Sequence, residues 1–247
     1  FAYTPFANGR INQATVDRIT QIAKDNYNYD AGNMTPRMPV EDEKILVKLD
    51  WTINDNHRAN FIYNYNDAFT ISQSDTGSSR LSLDSHYYEQ GAKFTSFVSS
   101  LYSDWNDDFS TELRFGKSEV DARVQSLDAA SGFGEFQVKT AGGATVYIGP
   151  DDSRHSNKLK YDTTTFKLAG KYYLDKHTIS AGYEYEKLNV FNMFVQHTQG
   201  EFRFNSIEDF ENGLASRIEY NNAAGTNNPA DAAAEFSYKQ HTLYLQD

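Results

Sequence analysis

The sequence predicts an all-β fold: an antiparallel segment of a transmembrane β-barrel, with short periplasmic turns and long external loops. Apolar and polar residues alternate over stretches longer than ordinary strands, and short polar turns alternate with long connections. The chain is also rich in aromatic residues, with 17 Phe, 17 Tyr and 2 Trp among 247 residues. Disordered chains are poor in such residues, so the mean hydropathy of −0.68 does not indicate disorder.

The composition excludes several classes of protein. The chain carries 23 Lys and Arg against 34 Asp and Glu, a net charge of −11, whereas a nucleic-acid-binding protein needs a basic surface. It contains no Cys, which excludes a disulfide framework and a thiolate metal site. No stretch approaches the ~18 consecutive apolar residues of a transmembrane helix.

The elements follow in chain order from the alternation. Residues 1–42 are expected to form an external loop with a short amphipathic helix at 12–25. A first hairpin is predicted at 43–71, with its turn at 54–57. One face of this hairpin is apolar and carries Ile45, Val47, Leu49, Trp51, Ile53, Ala59, Phe61, Tyr63 and Tyr65. The intervening positions are mostly charged or polar, as in a strand with two different environments.

The same pattern of two alternating strands joined by a short turn occurs twice more along the chain. Hairpins are predicted at 86–117 and 160–188, with short polar turns at 104–108 and 175–177. The connections between the hairpins are much longer than the ~4–6 residues usual in compact domains. A membrane barrel accounts for this asymmetry, because its strands meet in short turns at one rim and in long loops at the other.

The external loop at 189–235 is expected to contain a second short helix, which begins at a capping box at 206–209. Phe210 and Leu214 are predicted to be the buried residues of this helix. Residues 236–247 alternate as the start of a seventh strand and end without a turn signal. We therefore expect the chain to be an internal segment of a longer barrel protein.

The length of the strands favours a membrane barrel over a soluble sandwich. A spanning strand needs roughly 9–11 residues, whereas the strands of globular proteins usually have ~5–6. Aromatic residues lie near strand ends and turns, where their rings can sit at the interface between lipid and water. Seven strands cannot close around a wide lumen, so the complete barrel is expected to be larger.

Several stretches of the sequence resemble one family of outer-membrane proteins. Residues 238–247 read YKQHTLYLQD, and the end of this stretch resembles the aromatic-x-Gln-Asp start of a barrel strand in TonB-dependent receptors. The Oar-like branch of those receptors is similar to residues 48–58 (KLDWTINDNHR), 182–186 (GYEYE), 190–194 (VFNMF) and 204–210 (FNSIEDF). The resemblance covers most of the chain and includes no catalytic signature.

The resemblance implies a barrel of about 22 strands in the outer membrane of a Gram-negative bacterium, with an N-terminal plug domain inside it. It also implies the import of a scarce, bulky nutrient with energy delivered by TonB through the plug. The implied partners are outer-membrane lipid, the plug, TonB and the nutrient ligand; no nucleic acid and no cofactor are implied. The plug is expected to lie outside these 247 residues.

Aromatic residues in and near the external loops are the candidate ligand contacts. Tyr147, Phe191, Phe194 and Phe202 can stack on a sugar ring or on a siderophore. The same side chains can instead pack the loops against each other, and the sequence favours this packing. No catalytic, cofactor-binding or metal-binding residue is predicted.

No catalytic motif is present, so an enzyme is not predicted. The sequence lacks HExxH, GxSxG, GxxxxGK[ST] and GxGxxG. Glu184 and Glu186 lie two residues apart on one strand face, in the manner of a glycosidase carboxylate pair, but carboxylates are ordinary in a barrel lumen. Asp151, Asp152 and His155 can offer ligands to a divalent cation, but a solvated acidic loop is favoured.

Two other functions stay open on the sequence alone. The chain can be a soluble, secreted β-sandwich or β-helix-like module that binds carbohydrate through Trp51 or Trp105 without catalysis. It can also be a β-fold glycosidase that uses Glu184 and Glu186. The binding module is expected to fold as a monomer without detergent, and the glycosidase is expected to lose turnover when Glu184 or Glu186 is replaced with Gln.

Overall fold

The computed structural model describes residues 7–34 and 38–247. Within them it contains one wide antiparallel sheet, one small mixed sheet and two α-helices. Residues 1–6 and 35–37, which belong to the predicted first external loop, lie outside the described residues. In chain order the elements are α1 (Gln13–Tyr27), β1 (Val40–Asn54), β2 (His57–Ser72), β3 (Arg80–Ser82), β4 (Tyr88–Asn106), β5 (Phe109–Ser126), β6 (Glu135–Lys139), β7 (Thr145–Ile148), β8 (Ser156–Leu174), β9 (His177–Val195), β10 (Glu201–Phe204), α2 (Ile207–Glu211), β11 (Arg217–Glu219) and β12 (Ala234–Gln246).

The wide sheet consists of seven long strands in the order β1, β2, β4, β5, β8, β9, β12. Every neighbouring pair is antiparallel, and the strands have 13 to 19 residues. All are therefore longer than the roughly 9–11 residues that span a bilayer. The predicted all-β, antiparallel barrel segment is confirmed, and among the described residues its sheet does not close on itself.

Two adjacent rows of cross-strand partners show how the faces of this sheet differ. Partners in a row point to the same face, and the next row points to the opposite face. One row contains Trp51, Ala59, Leu101, Leu113, Leu168, Tyr183 and Leu243. The row one residue away on every strand contains Asp50, Asn60, Ser100, Arg114, Lys167, Glu184 and Thr242. One face is apolar and the other is polar.

The apolar residues of the first face form a continuous surface, which we call the apolar band. Most of its side chains are exposed in the structure, with Leu243 at 81 % and Trp51 at 65 %. An apolar surface of this extent is stable only against lipid or another apolar partner. The band contains Ile45, Val47, Leu49, Trp51, Phe61, Leu101, Leu113, Phe115, Phe166, Leu168, Ile179, Leu243 and Leu245. The opposite side of the sheet is called the polar face.

The hairpins extend further at the loop end than the predicted 86–117 and 160–188. β5 ends at Ser126 and β9 ends at Val195. The sequence pattern hides these ends because polarity inverts along the strand: beyond the apolar band, the band side of β5 becomes charged and its other side becomes apolar. The charged residues are Lys117, Glu119, Asp121 and Arg123, and the apolar ones are Val120, Ala122 and Val124. The strands therefore continue past the lipid and into water.

The connections at the loop end fold into a unit of their own, which the sequence did not predict. It consists of α1, α2 and the small sheet, in the order β11, β10, β6, β7, β3, and we call it the loop domain. Two of its strand pairs, β10 with β6 and β3 with β7, are parallel. The buried core lies here and includes Ile11, Val16, Ile19, Ile22, Leu81, Leu83, Phe136, Val138, Val146, Ile148, Phe204 and Phe210.

Helix α1 begins after Asn12, whose side chain accepts a hydrogen bond from the backbone N–H of Thr15, as a capping residue does. Its apolar stripe is buried in the loop domain. Arg18 on its outer side joins the two helices, with ion pairs of 3.1 Å to Glu208 and 2.9 Å to Glu211. No helix in the described part of the chain is long and apolar enough to cross a bilayer.

Helix α2 begins after Ser206, whose hydroxyl accepts a hydrogen bond of 3.0 Å from the backbone N–H of Asp209. Phe210 is fully buried, as predicted. The prediction for Leu214 is wrong, because this side chain is exposed. Gly213 explains the difference: its φ of +68°, which favours glycine, turns the chain away before Leu214 can reach the core.

Candidate functional site

The four predicted ligand contacts are not brought together by the fold. Tyr147 on β7 is only 8 % exposed, and the ring of Phe202 on β10 packs 5.0 Å from the ring of Phe136. Phe191 and Phe194 lie three residues apart on β9, so they point to opposite faces. Phe194 is 55 % exposed. Contact with a ligand stays a prediction for all four, and Phe194 offers the most accessible ring.

A groove of about 840 Å³ lies on the band side of the sheet, beyond the apolar band. The strand ends of β4, β5, β8, β9 and β12 line it, and Phe191 contributes an aromatic wall. Charges of both signs alternate across it: Lys93, Asp121 and Lys160 are consecutive cross-strand partners, and Lys160 pairs with Asp121. This surface is suited to water and headgroups and not to lipid tails.

The polar face carries paired charges at the same level as the apolar band. Glu112 pairs with Lys167 at 2.9 Å, and Glu186 accepts a hydrogen bond of 2.7 Å from the hydroxyl of Tyr238. Glu184 points to the same side. Ionised groups at this depth need water or protein beside them. Glu184 and Glu186 therefore follow the pattern of the whole face, which suits a barrel lumen.

The interpretation of residues 151–155 as a solvated acidic loop is wrong, because Asp151 and His155 are buried and residues 152–154 are only partly exposed. Asp151 is only 1 % exposed and lies 3.9 Å from Nε2 of His86. Asp152 faces His197 at 3.0 Å. His155 is buried and one of its ring nitrogens lies 2.9 Å from a neighbouring carbonyl oxygen. The three residues that looked like one ligand set in the sequence thus lie in three different environments.

Among the described residues, two clusters of His and carboxylate side chains form in the loop domain and in the connections that join it to the wide sheet. In each, three potential ligand atoms lie within 4.8 Å of one another. The first cluster contains Asp75, His86 and Asp151, and the second contains Asp152, His197 and Glu201. In the first, both nitrogens of His86 are engaged: Nδ1 lies 2.9 Å from the carbonyl oxygen of Gly149, and Nε2 lies 3.2 Å from Asp75.

Neighbouring carboxylates and burial shift the pKa values in and beside the first cluster. Burial disfavours the imidazolium of His86, but the hydrogen bond with Asp75 and the negative charges of Glu135 and Asp151 outweigh burial and raise the pKa of His86. The same hydrogen bond lowers the pKa of Asp75. Burial raises the pKa of Glu135 to about 7. The interior of the loop domain therefore contains a carboxyl group, that of Glu135, which titrates near neutrality.

We expect the His86–Asp75 pair to stabilise the loop domain most between about pH 4 and pH 6.5, the ordinary pKa values of the two groups. Because the folded pKa of His86 is raised, its contribution is present below about 6.5 and is lost as the pH rises through the raised value. Because that of Asp75 is lowered, its contribution is lost as the pH falls through the lowered value.

Replacing Asp75 with Asn is expected to lower the free energy of unfolding of the loop domain by about 1–3 kcal/mol at pH 5.5. The fall in stability as the pH rises through the raised pKa of His86 is expected to become smaller. Glu135 still contributes a fall between its ordinary pKa of about 4.3 and its raised pKa of about 7. Protease resistance of the loops across pH measures both effects. The exposed turn residue Asp107 supplies the control variant Asp107→Asn. An unchanged pH profile in Asp75→Asn would contradict the pairing.

Comparisons with known proteins agree with this architecture. A family model described as outer membrane beta barrel domain matches residues 2–247. Among solved structures, the crystal structure of the outer membrane transporter YddB from Escherichia coli is similar, with a TM-score of 0.54 and 11 % sequence identity over 84 % of this chain and 25 % of that chain. The chain thus spans about a quarter of that transporter's length. No curated protein matches the sequence.

The family match covers almost the whole chain, and the apolar band provides the lipid-facing side that a membrane barrel needs. The soluble carbohydrate-binding sandwich is not favoured by these findings. The protein is located in the outer membrane of a Gram-negative bacterium. By its sequence and its fold, the chain belongs to the outer membrane β-barrel domain family.

Proposed function

We propose that the chain forms part of the wall and external loops of a TonB-dependent receptor, which imports a bulky nutrient across the outer membrane. The width of the polar face is the observation that carries the proposal. Seven neighbouring strands present polar rows on one side, yet β1 and β12 do not pair with each other. Closure then requires further strands, and barrels of about 22 strands enclose a lumen that holds a plug.

Two further observations support the proposal. The sequence resembles the Oar-like branch of TonB-dependent receptors, and YddB, with which the chain shares its fold, is described as an outer membrane transporter. At 11 % identity this likeness concerns the fold alone. The plug, TonB and the nutrient are therefore proposed partners.

In this proposal the polar face and the loop domain have different roles. The polar face lines the lumen, where Glu112, Lys167 and Glu186 offer charged contacts to the plug. The loop domain lies at the outer mouth, and Phe194 is the first residue that we propose for contact with the nutrient because its ring is accessible. The more buried Tyr147 and Phe202 contribute only if the loop domain rearranges.

Uptake by the full-length protein in its own cells tests the proposal. Cells starved of iron or carbon are supplied with candidate nutrients, and growth is compared with and without the receptor and with and without TonB. We expect growth to require both proteins, while the barrel stays in the outer membrane when TonB is lost. Growth that needs the barrel but not TonB would identify a passive pore and contradict the proposal.

A further inference from the structure

The second His–carboxylate cluster of the loop domain differs from the first in its imidazole. His197 is 9 % exposed, and its Nδ1 has no hydrogen-bond partner among the described residues. Asp152 Oδ2 lies 3.0 Å from this nitrogen and Glu201 Oε2 lies 3.5 Å from it. The three atoms are close, but they do not have hydrogen-bond geometry. A buried nitrogen that makes no hydrogen bond is costly, so the cluster as it stands is incomplete.

The other atoms of the two carboxylates are already occupied. Oδ1 of Asp152 accepts a hydrogen bond of 2.9 Å from the hydroxyl of Ser153. Oε1 of Glu201 accepts a hydrogen bond from Nε of Arg203. Each carboxylate is therefore held in place by one oxygen and presents the other to Nδ1 of His197. Neighbouring groups that orient a ligand in this way are typical of metal sites.

The far side of the imidazole has a partner of the kind that metal-binding histidines use. Glu219 on β11 is the cross-strand partner of Glu201 on β10, and its Oε2 lies 3.3 Å from Nε2 of His197. A histidine that binds a metal through one nitrogen usually donates its other N–H to a carboxylate. With the proton on Nε2, Nδ1 is a bare acceptor that faces two carboxylate oxygens, and a metal cation bound between them satisfies all three atoms.

The spacing of these atoms fits a small tetrahedral ion. Zinc–nitrogen and zinc–oxygen bonds of about 2.0–2.1 Å at tetrahedral angles place neighbouring ligand atoms about 3.3 Å apart. The observed separations of 3.0 Å and 3.5 Å lie on either side of this value. One imidazole with two carboxylates suits zinc and similar transition metals, whereas magnesium and calcium prefer oxygen ligands alone.

We propose that Asp152, His197 and Glu201 form a binding site for a divalent transition-metal ion of the zinc class, with Glu219 fixing the imidazole from its other side. The three ligands come from separate segments: the turn before β8, the turn after β9, and β10. The ion joins these segments and so stabilises the loop domain. The first cluster does not bind metal in the same way, because both nitrogens of His86 are already engaged.

Zinc binding to the full-length protein in detergent tests the proposal. After metal is removed with a chelator, zinc chloride is titrated by calorimetry, and magnesium and calcium chloride are titrated in parallel. We expect His197→Gln and Glu201→Gln each to bind one equivalent of zinc less than the wild type. Glu219→Gln is expected to bind that equivalent about 10- to 100-fold more weakly. His177→Gln is the matched control, because His177 lies 2.6 Å from Asp247 in an exposed His–carboxylate pair.

The expected result includes a rise in the melting temperature of the loop domain with zinc, which His197→Gln abolishes and His177→Gln keeps. Equal zinc stoichiometry in the wild type and His197→Gln would overturn the proposal, as would preference for magnesium or calcium at this site. X-ray absorption at the zinc edge uses the wild-type protein and so does not depend on whether a variant folds. Zinc X-ray absorption is expected to show one imidazole with oxygen ligands, and an all-oxygen shell would overturn the assignment.

Discussion

Replacing Leu243 with Arg is expected to lower the free energy of unfolding of the barrel in lipid by about 2–4 kcal/mol. Leu243 belongs to the apolar band and lies beside Tyr183 on the neighbouring strand. At this depth the guanidinium group of Arg avoids the lipid only if the side chain extends to the membrane–water interface. This extension strains the strand or thins the bilayer locally. Denaturant titration of the full-length protein in lipid vesicles measures the change, and less protein is expected in the outer membrane.

The adjacent position provides a matched control for this substitution. Thr242 points to the polar face, where Glu184 is its cross-strand partner. The variant Thr242→Arg adds the same side chain one residue away and places it beside a carboxylate, so we expect a change within about 0.5 kcal/mol. Equal losses in Leu243→Arg and Thr242→Arg would contradict the assignment of the two faces.

The second large effect is expected in the loop domain. Phe210 is fully buried, and its ring stacks on Tyr27 with centroids 5.0 Å apart and lies 5.1 Å from the ring of Phe204. Phe210→Ala removes these contacts and leaves a cavity, which is expected to cost about 3–5 kcal/mol. Because Phe210 lies outside the wide sheet, the barrel itself is expected to stay folded.

Limited proteolysis of the full-length protein separates these effects. In Phe210→Ala we expect rapid cleavage within the loop domain, together with an unchanged mobility shift between boiled and unboiled samples on gel electrophoresis. Phe194→Ala is the control of the same residue type, since this side chain is exposed, and it is expected to resist the protease as the wild type does. Loss of the mobility shift in Phe210→Ala would show that the loop domain and the barrel unfold together, and would contradict the prediction.

The wide sheet could be predicted from the sequence because its signal is local. Alternation along a strand depends only on which neighbours face lipid and which face the lumen, and residues such as Leu49 and Trp51 show it within a few positions. The far ends of the strands escaped prediction where Lys117 and Glu119 replace apolar residues on the band side. There the outer surroundings change from lipid to water while the strand continues.

The loop domain could not be predicted because its signals are short and distant from each other. Its strands have three to five residues, and the parallel pairing of β6 with β10 joins segments more than sixty positions apart. The acidic loop shows the same difficulty at the level of a site. Asp151 and Asp152 are adjacent in sequence, but their histidine partners His86 and His197 come from other connections. No local pattern relates these residues.

The central claim is that the apolar band faces lipid, and spin labels on β5 test it most directly. The chain has no cysteine, so the variants Glu112→Cys, Leu113→Cys, Arg114→Cys and Phe115→Cys can each be labelled with a nitroxide in full-length protein that lacks other cysteines. In lipid vesicles we predict frequent collisions with oxygen, which concentrates in the bilayer, at 113 and 115 and rare ones at 112 and 114. A reversed or absent alternation would contradict the account.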